Sequence, residues 1–376
     1  MNVQQIYPIV NDALKETLGE SAVLQEDLGN IVQMGEAVFN AQSAHIYSRN
    51  LVNRIGRTVF EAEKYQGRAP SVYMDGWEYG SVKQKITFEL NDATENESWE
   101  LVNGQSYDPN IFTEAQVNVK YFNGKTTFEV PISITEEMIK QSFVNVEQLN
   151  ALVSGIFTYI DNTLTIAADN LVMRTINNFT ATTINDNNGA RVRKLVTEYN
   201  ATHSGNTVTS ANCLESPDFT RYMAIQMDLA KSRLGVMSKL FNIGAKPRFT
   251  PDSRLHFIML DEVKAAYDVY LQSGVFHDDY TKLPAAETVP YWQGSGTGYA
   301  FADTSKIDVK TADGDAVSQA YIAAVMFDRN ALGVSCMNKR TTTNYNGKAE
   351  FTNYWFKEDA MYFNDTDENF IVFILA

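Results

Sequence analysis

The sequence is poor in the residue types on which most catalytic and metal sites depend. It contains 4 histidines and 2 cysteines in 376 residues, and the cysteines do not form a CxxC spacing. This pattern indicates neither a disulfide framework nor a zinc site, and it predicts that Cys213 and Cys336 are buried free thiols. There is no GxSxG esterase turn, and the glycine-rich stretch 294–298 lacks the lysine of a phosphate-binding loop. We therefore predict no catalytic residue, no metal site and no cofactor.

Basic residues are also scarce. The 31 lysines and arginines are outnumbered by 46 aspartates and glutamates, which gives a formal net charge of −15. Tight binding of nucleic acid needs clustered basic charge, so it is not expected of the surface as a whole. No apolar run approaches the roughly 18 residues of a membrane span, and the N-terminus lacks signal-peptide features. The sequence predicts a soluble globular protein, made in the cytoplasm, with a large core.

Two alternating segments predict a pair of half-exposed strands. Apolar and polar residues alternate over 82–90 and again over 115–121, which is the period of a β-strand. The intervening stretch 91–113 has acids but no lysine or arginine. This pattern predicts a long two-stranded arm with an acidic tip, which needs a surface to lie on, such as a neighbouring subunit. Lys83 and Lys85 are expected to be solvated strand lysines.

A long helix is the strongest single prediction. Apolar residues recur at intervals of 3 and 4 from Leu149 to Leu171, which is the spacing of one helical face. Asn145 is a candidate N-cap, so the helix is predicted over 146–177, with its apolar face against the closing strands. The following stretch 180–212, rich in asparagine and threonine, is interpreted as a domain passage or surface loop.

Local signals also divide the second half of the chain. Ser216, followed by proline and aspartate, predicts a helix start, and the helix should stop at Gly235. The run 255–260 predicts a buried strand followed by a helix to Gln272, giving a mixed α/β unit. The tail 335–376 is predicted to be rich in β-structure.

The order of these parts is similar to that of a known family. Three stretches are similar to the family's own: 130–138 (VPISITEEM), 255–260 (LHFIML) and 367–374 (DENFIVFI). The whole chain resembles the major capsid proteins of tailed bacteriophages, which have the Hong Kong ninety-seven or Johnson fold. The resemblance implies an α+β fold with an N-terminal arm at 1–68 and an extended E-loop hairpin at 69–125. The first part of the peripheral (P) domain, with a long spine helix, would occupy 126–213. An α/β axial (A) domain would follow at 214–330, and the return strands of the P domain at 331–376.

The resemblance implies a structural, non-enzymatic function. The protein would assemble as pentamers and hexamers into the icosahedral capsid of a virion, built in the cytoplasm of the host bacterium. Its implied partners are copies of itself, a portal, possible decoration proteins, and packaged double-stranded DNA in weak contact, with no membrane. A separate scaffolding protein, or none, is expected because the sequence leaves no room for a long charged N-terminal segment. The alternatives are an encapsulin-like nanocompartment shell and, from another class, a soluble carbohydrate-active or hydrolytic enzyme.

A local charge reversal suggests where subunits touch. The segment 45–68 has five bases and two acids, whereas 91–113 has five acids and no base, so their net charges are +3 and −5. On one interpretation the acidic tip docks on the basic arm of a neighbour, and on the other both are independent solvated surfaces. The candidate contact residues are Arg49, Arg54, Arg57, Glu95, Glu97 and Glu100.

Overall fold

A computed structural model describes most of the chain. The described residues are 3–62, 67–74, 83–88, 116–272, 286–293, 303–311 and 313–376, with isolated positions between 93 and 114. The helices in this part are α1 (Val3–Leu18), α2 (Ile31–Asn40), α3 (Ala44–Ala62), α4 (Glu136–Ser142), α5 (Val146–Asp186), α6 (Leu195–Thr202), α7 (Pro217–Leu234) and α8 (Asp261–Gln272). The strands are β1 (Lys83–Phe88), β2 (Val117–Phe122), β3 (Gly124–Thr135), β4 (Val192–Lys194), β5 (Leu255–Leu260), β6 (Glu287–Val289), β7 (Ile307–Lys310), β8 (Ala316–Gln319), β9 (Ile322–Asp328), β10 (Leu332–Asn346), β11 (Phe351–Asn364) and β12 (Phe370–Ile374).

The first apolar core joins the N-terminal helices to a three-stranded sheet. The sheet has the antiparallel order β10-β11-β3. Fully buried side chains of α1 and α3, such as Leu14 and Leu51, pack with Tyr354 and Phe356 of β11 and with the first half of α5. The leading segment is therefore a set of helices that depends on the rest of the chain for its core.

The second core surrounds a five-stranded sheet with the order β4-β12-β9-β5-β6. β12 and β9 are central and buried along their whole lengths, as expected for strands covered on both faces. The predicted strand 255–260 is confirmed as β5, and α7 begins and ends where predicted. Ser216 caps α7 by accepting a bond from the backbone N–H of Phe219, and Gly235 is the C-cap.

Helix α5 links the two cores. It is continuous, as predicted, but it ends at Asp186 rather than near Asn177, and at 41 residues it is about 62 Å long. The interpretation of 180–212 as a passage or loop is therefore wrong at its start, and α6 lies further along the same stretch. Thr180 and Thr183 are buried against the second core, which keeps this polar end helical. Among the described helices, α5 alone has the length and hydropathy of a membrane span, and its buried side chains belong to both cores.

Candidate assembly surface

β1 and β2 pair as the predicted two-stranded antiparallel arm, which we call the ribbon. Its register places Ile86 opposite Val119 and Phe88 opposite Val117. These residues and Tyr121 point to one side, and each is between 43% and 64% exposed. The ribbon therefore presents a continuous apolar face to solvent.

The opposite face of the ribbon is polar and lies on the body of the subunit. Lys85 forms ion pairs with Asp365 and with Glu368, the latter at 2.6 Å, and its side chain is only 17% exposed. The expectation that Lys85 is a solvated lysine is therefore wrong, because partners distant in sequence cover it. Lys83 lies over the ring of Phe363 at 3.6 Å, and burial, reinforced by the charge of Lys85, lowers the pKa of Lys83 to about 8.

This arrangement reverses the usual distribution of polarity. A two-stranded ribbon is marginal alone and normally buries its apolar side. Here the charged side is covered and the apolar side is bare, and continuous bare apolar surface is typical of a protein contact site. The geometry indicates that another molecule covers this face.

The segment before the ribbon is fixed to α5 and to the five-stranded sheet. The guanidinium of Arg68 donates to Asp169 of α5 at 2.8 Å and stacks over Tyr291 at 4.2 Å. The hydroxyl of Ser71 donates to Glu287 of β6 at 2.7 Å. These contacts fix residues 68–71, which precede the ribbon in the sequence, to the body of the subunit.

A groove lined by both polar and apolar residues lies beside the ribbon. It has a volume of about 320 Å³ and lies between Phe88 and the loop that follows α7. Met237 and Phe249 of that loop line the groove and are exposed, and Arg248 lies beside them. The loop thus borders Lys85 and Thr87 of the polar side of the ribbon, and it borders Phe88 of the apolar side.

Comparison with known proteins decides the family. A family model described as Phi29-like phage major capsid protein matches residues 6–374. The chain belongs to this family. Its function is that of a structural, non-enzymatic protein of the phage capsid shell, and it resides in the virion capsid.

Solved phage structures share the fold of this capsid protein. The capsid structure of Staphylococcus phage Andhra matches with a TM-score of 0.51 and 10% identity, covering 84% of this chain and 86% of that chain. A chain in the structure of the head fiber and inner core protein of native bacteriophage P68 matches with a TM-score of 0.52 and 11% identity, covering 82% and 85%. No curated protein matches the sequence. The predicted Johnson-type capsid fold is confirmed.

The candidate contact residues of the capsid protein lie in different environments. Arg49 and Arg57 are exposed on α3. Arg54 already pairs within its own subunit, donating to Asp12 of α1 at 2.8 Å and also to Glu16.

On the acidic side, Glu95 is exposed. Glu97 and Glu100 lie outside the described residues, as does the glycine-rich stretch 294–298. Docking of the acidic tip on the basic arm of a neighbour stays a prediction. If it occurs, Arg49 and Arg57 are better placed than Arg54 to take part.

Residues that the sequence analysis missed lie under the ribbon. Asp365, Asp367 and Glu368 form a short turn between β11 and β12, which we call the carboxylate turn, and all three bind lysines of the ribbon. The signal available in the sequence was three acids within four residues between two strong strands. Their partners could not be assigned without the fold, because the lysines lie more than 200 positions away.

Among the described residues, no three or more His, Cys, Asp or Glu side chains are arranged so that they could hold a metal ion. His256 lies in β5 beside Phe327, and burial, together with the charge of Arg329, lowers the pKa of this histidine. Cys213 is a buried free thiol whose pKa is raised to about 11 by burial, and Cys336 is half-buried and forms no disulfide. The predicted burial is confirmed for Cys213 and is only partial for Cys336.

Proposed function

We propose that the apolar face of the ribbon docks on a neighbouring copy and so joins subunits into pentamers and hexamers of an icosahedral shell. The observation that carries this proposal is the bare apolar face formed by Ile86, Phe88, Val117, Val119 and Tyr121. Covering it with a second copy removes this surface from water, which is favourable by about 25 cal/mol per Å² of apolar area. Many such contacts of modest strength add up in a closed shell.

The two apolar cores support a division of the body into two parts, and β4 and β12, which lie outside 214–330, complete the sheet of the second part. One core joins the N-terminal helices with the first half of α5, and the other surrounds the five-stranded sheet. We assign the ribbon to the E-loop region 69–125, the sheet β10-β11-β3 to the peripheral domain, and 214–330 to the axial domain. The axial domain would cluster around the symmetry axes of the shell.

Charge and family membership support a proposal for the contents and partners of the shell. A net charge of −15 suits a lumen to which packaged double-stranded DNA adheres weakly. A separate scaffolding protein, a portal and decoration proteins are the further partners we propose, with assembly in the host cytoplasm.

Purified subunits test the role of the ribbon face directly. The double variant Ile86→Asp with Phe88→Asp should stay folded, because both side chains are exposed, and should fail to form shells in electron micrographs. Val269→Asp on α8 is the matched control, since Val269 is also apolar and exposed, at 61%, but lies on a different element. Normal shells from the double variant would refute the docking role of the ribbon.

A further inference from the structure

The body-facing side of the ribbon carries two lysines directly opposite each other. Lys85 and Lys120 are register partners. Like charges that face one another across two strands are destabilising. Both amino groups bind one carboxylate, that of Asp365: Lys85 binds Oδ2, and Lys120 binds Oδ1 at 3.1 Å. The opposed lysines are therefore compensated where the ribbon lies on this aspartate.

The other carboxylates of the turn complete a balanced cluster. Asp367 binds Lys120 at 2.6 Å, and Glu368 binds Lys85 at 2.6 Å and Arg248 at 3.2 Å. The cluster thus pairs the three carboxylates with three cations, which come from β1, β2 and the loop after α7. The carboxylates are largely buried, so breaking one pair leaves an uncompensated charge in a poorly solvated site.

The carboxylate turn is itself fixed to the body. The backbone N–H of Asp365 donates to the carbonyl of Ala331 at 2.6 Å, and the N–H of Asp367 donates to the carboxylate of Asp365 at 3.1 Å. The N–H of Gly244 donates to the carbonyl of Thr366 at 2.9 Å. Since buried strands precede and follow the turn, it offers a rigid reference for the ribbon.

An aromatic contact lies nearer the start of the ribbon. Phe122, opposite Lys83 in the first rung, packs on Phe363 with ring centroids 5.3 Å apart. The contact of Phe122 alone would allow the ribbon to rotate about this end. The opposed pair of Lys85 and Lys120 lies two residues away from it on each strand. Two separated contacts define an angle, whereas one does not.

We propose that Asp365, Asp367 and Glu368 are positioning residues that set the angle at which the ribbon presents its apolar face to a neighbouring copy. This inference rests on the proposed function of that face. The two sides of the ribbon then have separate tasks: the apolar side supplies the adhesion between copies, and the ionic side fixes its direction. A wrong angle gives misdirected contacts, and the shells are then irregular or absent.

Charge reversal at Lys120 tests the proposal. Lys120→Glu places a carboxylate against two others, so the ribbon should leave the turn. In the free subunit, hydrogen exchange of the amides in β1 and β2 should accelerate by about tenfold or more. Shells should be lost or vary in diameter. Combining Lys120→Glu with Asp367→Lys recreates an ion pair of reversed polarity and should restore both slow exchange and uniform shells.

A matched control separates positioning from general stability. Lys357→Glu makes the same charge change and breaks an ion pair with Glu129, 3.0 Å long, on the three-stranded sheet. It should leave ribbon exchange and shell diameter unchanged. The proposal is overturned if Lys120→Glu keeps wild-type shells, whether or not exchange accelerates. It is also overturned if the reversed pair fails to restore uniform shells, or if the control disturbs shells equally. Failure of the folded wild-type protein to form any shell, alone or with its scaffolding protein, would instead refute the proposed function. Hydrogen exchange of β1 and β2 would still test whether the carboxylate turn holds the ribbon.

Discussion

Replacing Ile160 with alanine tests whether the first apolar core holds helix α5. The side chain of Ile160 is fully buried, at 0% exposure, in the core shared with α3 and β11. The change removes about three buried carbon groups, which costs about 2.4 kcal/mol at about 0.8 kcal/mol each. If a cavity of about 50 Å³ remains, it adds about 1.2 kcal/mol. We expect the free energy of unfolding to fall by about 3.5 kcal/mol, a large share of the roughly 5–15 kcal/mol of a typical domain.

The same helix provides the control. Ile166 is 52% exposed, so Ile166→Ala removes the same atoms from a site that is largely in water. Its effect should be within about 0.5 kcal/mol, as for most surface substitutions. Urea unfolding of unassembled subunits, followed by circular dichroism, measures both changes. The slope of the unfolding free energy against urea concentration should be the same for both variants and the wild type.

Equal losses of unfolding free energy from the two variants would refute this expectation, because the two sites differ in burial and the atoms removed are the same. A small loss from Ile160→Ala together with a large one from Ile166→Ala would mean that α5 turns its other face to the core. In either case the assignment of the first core would fail.

Two further predictions concern the carboxylate turn. A Cβ at Gly244 would overlap Oδ1 of Asp367, so Gly244→Ala should lower the stability measured by thermal unfolding by about 1–3 kcal/mol. Gly205→Ala should not, because a Cβ there would have no neighbour within 4 Å. Burial raises the pKa of Asp365, but the hydrogen bond and charge of Lys85, with further bonds from the turn and Lys120, hold it below its ordinary value. The folded state therefore favours the carboxylate, and this stability is present above the unfolded pKa of about 3.9 and is lost as pH falls through the lower folded value. Unfolding free energies measured from about pH 3 to 6 should show the wild-type advantage over Asp365→Asn shrinking toward acid, and a constant difference would contradict this.

Some elements could be predicted because their signals are local. The cap at Ser216 and the stop at Gly235 bound α7 through backbone chemistry within a few residues. The apolar run of β5 needs no partner to be recognised as a buried strand. Such features depend little on the rest of the fold, and their predicted bounds are confirmed.

Other features depend on distant parts of the chain. The end of α5 is polar in composition, which favours a loop, but Thr180 and Thr183 are buried by the second core. The hydroxyl of Thr183 is satisfied by the carbonyl of Phe179 at 2.9 Å within the helix itself. Burial in the tertiary structure therefore outweighs the weak local helix propensity, and no local sequence pattern predicts this burial.

The ribbon shows the same limit at the level of function. Alternation predicts that a strand has two unlike faces, but it does not say which face the body covers. Placing the lysines inward requires the buried carboxylates of the turn, and these become neighbours of the ribbon only when β11 and β12 are in place. When these strands are in place, Lys85 and Lys120 pair with the carboxylates on the inner side of the ribbon. Ile86 and Phe88, on the other side, are then exposed in the free subunit. An uncovered apolar face is unfavourable for a subunit on its own, so its presence in a capsid protein is best explained by a contact that forms when copies meet.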